Sequence, residues 1–337
     1  MTHTTTTTRQ KAGIPGVGTA VFGSFALFCL LLILHSPDVA IEYVTRGLRL
    51  CATTVIPSLF PFMVLSEIIV SAGIARRMPR PLLAPLRRLL GLSDVGCSTV
   101  LLGALCGFPV GARCAVLAME RGEMSRAETE RVLTCSNNPS SAFLISAVGV
   151  SLFENRGFGV ALYATVLLSS LLSAILFRLR CGSVETPVTF PVTRPNDPPI
   201  GARLFTDAIA SAIKSILLVS SYVVFFSALM GALHLVLGGL GLTETLSAFL
   251  FCLLELSGGV SRASALGNTA HAALLCAFAT GWSGLSVHCQ ILSVCNKKAL
   301  SLRPYFFAKL LQGILCLLLF GILIRLFPSL LIPAQSC

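Results

Sequence analysis

The stretch Gly107-Phe108-Pro109-Val110-Gly111-Ala112-Arg113 sets two glycines, a proline and an arginine in an otherwise apolar run. In a bilayer, a broken backbone and a charge are both costly unless they line a cavity or a protein-filled interior. Gly103, Gly107 and Gly111 also form a double Gly-x-x-x-Gly, a spacing that serves close helix packing, and Pro109 adds a break to it. Arg113 reads in two ways. Its planar fork suits a carboxylate, or its long stem snorkels to the interface near Glu120. Asn137, Asn138, Ser140 and Ser141 surround Pro139 with more neutral donors and acceptors than a helix cap needs, and so read as a lined site. Glu255 ends an apolar run from Leu246 and precedes Ser257-Gly258-Gly259. A carboxylate there points to an inward or proton-coupling role, with an interfacial position as the alternative.

Enzyme chemistry finds little support. Gly281-Trp282-Ser283-Gly284 resembles the Gly-x-Ser-Gly of rhomboid intramembrane serine proteases, but a nucleophilic serine needs a positioned base. The nearby His288 is about 140° around a helix from Ser283, a poor placement. The chain carries no His-Glu-x-x-His, Walker-type loop or dinucleotide fingerprint, so a transporter built from it is secondary or passive. Thirteen cysteines have no Cys-x-x-Cys pair and lie mostly inside apolar runs, as small packing residues with free thiols do. Neither a metal nor a cofactor is expected.

The elements that must position these residues are membrane helices. Hydrophobic residues make up 55% of the 337, charged residues 12%, and the mean hydropathy is +0.86. Ordinary soluble domains carry about 25% charged residues. The net charge of +11 is spread over loops between apolar runs, where the positive-inside rule places it, rather than in one tract for nucleic acid. The partners expected are the lipid bilayer and a small-molecule solute. No nucleic acid is expected, and a homo-oligomer is left open.

Residues 1–16 read as a disordered tail, and 17–46 as a first, uncleaved transmembrane helix with an external loop. Residues 47–180 form a first membrane repeat, 181–203 a Pro-rich linker and 204–331 a second membrane repeat. Pro57 and Pro61 predict a kink, Arg80 to Leu90 a basic surface helix, and Ser125 with Glu128 a capping box. In both halves the order is crossing, interrupted segment, short polar-dotted segment, crossing. If the loops at 75–94, 178–203 and 296–303 are cytoplasmic, the halves are inverted repeats.

Ile56-Pro57-Ser58-Leu59-Phe60-Pro61-Phe62, Gly107-Phe108-Pro109-Val110-Gly111, Cys135-Ser136-Asn137-Asn138 and Gly284-Leu285-Ser286-Val287-His288-Cys289-Gln290 resemble the sporulation integral membrane proteins of YlbJ type. These belong to the nucleoside-recognition (Gate) domain superfamily. The resemblance covers about 45–327. It implies an all-α polytopic membrane protein of spore formation, similar in architecture to concentrative nucleoside transporters. It further implies movement of dipicolinic acid from the mother cell across the outer forespore membrane. Arg113 stands where the family has a lysine, and Asn138-Pro139-Ser140-Ser141 replaces its Ser-Gly-Pro order.

The resulting expectation is a carrier for a small anionic aromatic solute. Arg113 takes a carboxylate at the Gly107-Pro109-Gly111 turn, and Asn137, Asn138 and Ser140 take the ring or second carboxylate. Ser283, Ser286, His288 and Gln290 approach from the opposite repeat, and Glu255 is the coupling residue. A non-transporting sporulation scaffold is the rival from another class, with a nucleoside carrier further behind.

Overall fold

The computed structural model describes residues 17–73, 78–181, 201–267, 269–295 and 300–332. The amino-terminal tail, most of the Pro-rich linker, and Arg76, Arg77, Lys297 and Lys298 lie outside the described residues. Among those described, every regular element is helical. The first half comprises α1 (Val17–His35), α2 (Pro37–Leu50), α3 (Ile56–Ser71), α4 (Arg80–Leu90), α5 (Asp94–Cys106), α6 (Val110–Glu120), α7 (Arg126–Cys135) and α8 (Arg156–Cys181). The second comprises α9 (Ala202–Gly239), α10 (Glu244–Leu254), α11 (Leu256–Ser264), α12 (Ala270–Trp282), α13 (Gly284–Cys295) and α14 (Arg303–Leu326). π-helical segments occupy Cys51–Val55 and Phe143–Leu152.

Five helical runs among the described residues are long and apolar enough to cross a membrane: Pro37–Ser71, Arg156–Arg180, Ala202–Gly239, Ala270–Cys295 and Arg303–Leu326. The chain is an all-α polytopic membrane protein. Residues 37–46, expected in an external loop, instead open α2, which runs through the π turn into α3. That wider turn sits just before Pro57, whose ring would clash with the carbonyl one tight α turn back. The second half opens with the single 38-residue α9, which no proline interrupts.

Helix α4 meets α5 at 94°, as a surface helix turning into a membrane segment does. Leu83 and Leu90 are buried while Leu82 and Leu89 stay exposed. Gly91 ends α4 at φ +65°, a conformation that glycine adopts without strain. Arg178 donates to the last α4 carbonyls, Arg88 O and Leu89 O. The capping box at α7 forms only by half. Ser125 Oγ accepts from Glu128 N at 3.1 Å, but the Glu128 carboxylate accepts from Ser93 N at 2.6 Å. It thereby ties α7 to the start of α5.

Two helix pairs fold back as hairpins. In a straight helix, Gly103 and Gly111 would stand about 12 Å apart. Here a methyl added to either would come within 2.0 Å or 1.9 Å of one atom, the Ser136 carbonyl oxygen. The chain therefore reverses between α5 and α6, and both arms close on the end of α7. Similarly, a methyl on Gly259 would lie 2.5 Å from Cys252 Cα, where seven residues of straight helix would span about 10 Å. So α11 returns along α10. Elsewhere Gly281 meets Gly313 backbone to backbone, and small residues of this kind let α12 and α14 pack closely.

Gly103→Ala and Gly111→Ala should each lower the yield of monodisperse protein in detergent and its thermal midpoint, by roughly 1–3 kcal/mol of stability. A methyl at Gly238 meets nothing within 4 Å, so Gly238→Ala should leave both measures unchanged. Equal behaviour of all three variants would refute the hairpin geometry.

Candidate functional site

The first pair of breaks is at Gly107–Pro109 and at 136–140. Phe108 N donates to Asn138 O at 2.9 Å, and a methyl on Gly107 would strike Ser140 N at 2.6 Å. The turn and the polar stretch therefore touch backbone to backbone. Helix α7 ends there with orphan carbonyls, which lipid cannot satisfy. Asn137 Nδ2 donates to Leu133 O at 3.0 Å, Asn138 Nδ2 to Cys135 O at 2.9 Å, and Ser170 Oγ to Cys135 O at 3.1 Å. Ser140 Oγ caps the next helical segment through Phe143 N at 3.2 Å.

Two residues absent from the sequence expectation complete this network. Lys309 Nζ donates to Asn137 O at 3.0 Å and to Gln312 Oε1 at 2.8 Å. Gln312 Nε2 donates to Asn138 Oδ1 at 2.8 Å and to Val166 O at 3.3 Å. All four side chains (Asn137, Asn138, Lys309 and Gln312) are buried, and among the described residues no carboxylate pairs with Lys309. The available signal was two polar residues one turn apart, at i and i+3, inside the apolar run of α14.

The second pair of breaks is at Glu255 and at Ser283-Gly284. Glu255 is buried, and its carboxylate caps α11 by accepting from Ser257 N at 3.0 Å and Gly258 N at 2.5 Å. The amide end of a helix favours a negative group there. Ser283 and Gly284 take left-handed conformations at φ +78° and +79°, and a methyl on Gly284 would lie 3.0 Å from Leu256 N. For serine that conformation is strained. The two breaks of this half thus also touch.

Around these breaks, among the described residues, several side-chain polar atoms are buried without a hydrogen-bond partner. Ser136 Oγ and Asn137 Oδ1 are so placed on the first side, and Ser283 Oγ, Ser286 Oγ, His288 Nε2 and Gln290 Oε1 on the second. Each would cost about 1–3 kcal/mol if nothing ever met it, so such a group calls for a water, an ion or a ligand. His288 Nδ1 lies 2.9 Å from the Tyr305 hydroxyl, and Ser283 and His288 make no hydrogen bond to each other.

Three cavities follow the antiparallel seam between α2–α3 and α9. At one end, Glu67, Val70, Pro109, Arg113 and Ser215 line a pocket of about 10 Å³. In the middle, Ser58, Phe108, Ser140, Val219, Glu255, Ser257 and Gln290 enclose about 20 Å³. At the other end, Tyr43, Arg46, Arg49, Ser227, Gly258 and Arg262 border a recess of about 410 Å³. From Thr53 to Val70 the seam runs roughly 25 Å of helix, close to the ~30 Å of a bilayer core. The middle cavity brings Ser140, Glu255 and Gln290 together from both halves, but it holds little more than a water.

Arg113 is not in that cavity. Its guanidinium pairs with Glu67 at 3.2 Å, donates to Ser211 Oγ at 2.6 Å and hydrogen-bonds Ser215 Oγ. The side chain turns into the seam rather than snorkelling to the surface, and Glu67 already meets its charge. Glu67 was not among the expected site residues. It sits one turn before the end of α3 and finds its partner only through the hairpin.

An all-helical polytopic membrane protein whose interrupted helices meet in its interior is the class defined by this fold and site. The chain is similar to the sporulation integral membrane protein YlbJ of Bacillus subtilis (strain 168), with 26% identity across 88% of this chain and 81% of that protein. That similarity agrees with the resemblance to the YlbJ-type sporulation integral membrane proteins. No family model matches the chain. No solved structure matches it.

Lys309→Met keeps the stem but strips Asn137 O and Gln312 Oε1 of their donor, and should destabilise the protein by about 1–3 kcal/mol. Lys309→Met with Gln312→Leu should lose less than the sum of the single changes, because the two side chains serve one network. Thermal unfolding of the four proteins in detergent checks this. Strict additivity would show that the network is not coupled.

Proposed function

We propose that this chain is a secondary or facilitative carrier for a small anionic aromatic solute, and that the middle cavity is its occluded binding site. The observation that carries the reading is the group of buried, unpartnered polar atoms at two touching pairs of helix breaks. A structural scaffold gains nothing from polar atoms left unsatisfied in an apolar interior, whereas a carrier supplies their partners with its solute. Cationic side chains at the open end of the seam, Arg46, Arg49 and Arg262, suit a carboxylate. The two halves act as inverted repeats, each contributing one hairpin and one broken helix to the cavity wall.

The relation to YlbJ supports a membrane protein of sporulation, and the resemblance to that family implies dipicolinic acid as the solute and the outer forespore membrane as the location. Glu255 serves as the coupling group. Its two backbone donors hold it against the cavity, where it can exchange a proton when the site opens.

The test is uptake of labelled pyridine-2,6-dicarboxylate into proteoliposomes. The full chain should give saturable uptake, and Gln290→Leu should reduce it about tenfold, near 1.4 kcal/mol, at unchanged protein level. Glu255→Gln should uncouple uptake from an imposed pH gradient while solute exchange continues. Folded protein that moves no dicarboxylate above empty vesicles would overturn the reading in favour of a non-transporting scaffold.

A further inference from the structure

The large recess at the end of the seam away from Arg113 has a chemistry of its own. Tyr43, Arg46 and Arg49 come from α2, Phe251 from α10, and Ser261 and Arg262 from α11. Its volume of about 410 Å³ falls in the range of small-molecule sites, roughly 300–1,000 Å³. Arg46 lies over the Tyr43 ring at 5.2 Å, and Arg262 over the Phe251 ring at 5.3 Å. A guanidinium held over a ring face keeps its in-plane N–H donors free for an oxyanion. Glu42 pairs with Arg46 at 2.5 Å on the exposed side. Among the described residues, Arg49 and Arg262 carry no ion pair.

Three guanidinium groups facing one carboxylate make this recess positive. It is also one helical turn from the middle cavity. Gly258 borders the recess, and its N–H is the donor to the Glu255 carboxylate that lines the cavity. We infer that the recess is a second oxyanion site, which takes the carboxylates of the solute on the membrane face opposite the basic loops. The inference rests on the carrier reading for the identity of the anion. The chemistry it needs, an oxyanion, could equally be a phosphate of an anionic lipid, and the test separates the two.

Ser261 is exposed at the rim of the recess, so Ser261→Cys can report on it. The full chain is held in phosphatidylcholine nanodiscs at low salt and labelled with methanethiosulfonates of opposite charge, the ethylsulfonate and the ethyltrimethylammonium. The anionic reagent should react about tenfold faster, as field focusing in a charged cleft predicts. Millimolar pyridine-2,6-dicarboxylate should slow that reaction, and Arg49→Gln with Arg262→Gln should abolish both the preference and the protection. Absence of charge preference, or of protection by the dicarboxylate, would overturn the inference. So would protection that comes only from phosphatidylglycerol added to the disc, which would make the recess a lipid site. Protection retained in a protein that transports nothing would instead overturn the carrier reading and leave the recess standing.

Discussion

The structure depends on how a broken backbone is kept satisfied where there is no water. A helix that stops inside a bilayer leaves carbonyls at one end and amides at the other, and lipid can pair with neither. This chain stops helices there repeatedly. The carbonyl end of α7 receives Asn137, Asn138 and Ser170, and above all Lys309, contributed from 172 residues later in the chain. The amide end of α11 receives the Glu255 carboxylate. The two buried side chains therefore stand at the helix ends whose partial charges oppose theirs. Each is difficult to bury alone and well placed beside a helix terminus.

Close packing of the breaks follows from the same constraint. Gly103 and Gly111 let both arms of the first hairpin reach the Ser136 carbonyl, and Gly107 and Gly284 let each turn touch its partner break. Among the described residues, several side-chain groups beside these contacts are left without a hydrogen-bond partner. The seam between α2–α3 and α9 passes all of these points, closed to about 20 Å³ at its centre and open to about 410 Å³ at one end. Under the proposed carrier function this is an occluded conformation with one mouth accessible.

Much of this was legible in the sequence, because breaks leave local marks. Gly107 and Pro109, the Asn137 to Ser140 stretch and Glu255 all fall where the helices are interrupted. Partnerships were not legible. Lys309 and Gln312 looked like incidental polar residues in α14, since periodicity says nothing about a partner in α7. Glu67 and Arg113 meet only because the hairpin returns α6 to α3, so Arg113 reads as free in sequence and is paired in the fold. Glu128 matches a capping box locally yet gives its carboxylate to Ser93. The stretch 37–46 carries Pro37, Asp38 and Arg46 and resembles a loop in composition, yet proline and aspartate also suit a first helical turn.

The most direct measurement is a cryo-EM map of the full chain in nanodiscs with saturating pyridine-2,6-dicarboxylate. The account predicts solute density between the two pairs of breaks, within hydrogen-bond reach of Ser140, Ser286 or Gln290, with the seam widened well beyond its present centre. Breaks that stay closed around ordered water, with no solute density at those side chains, would contradict it.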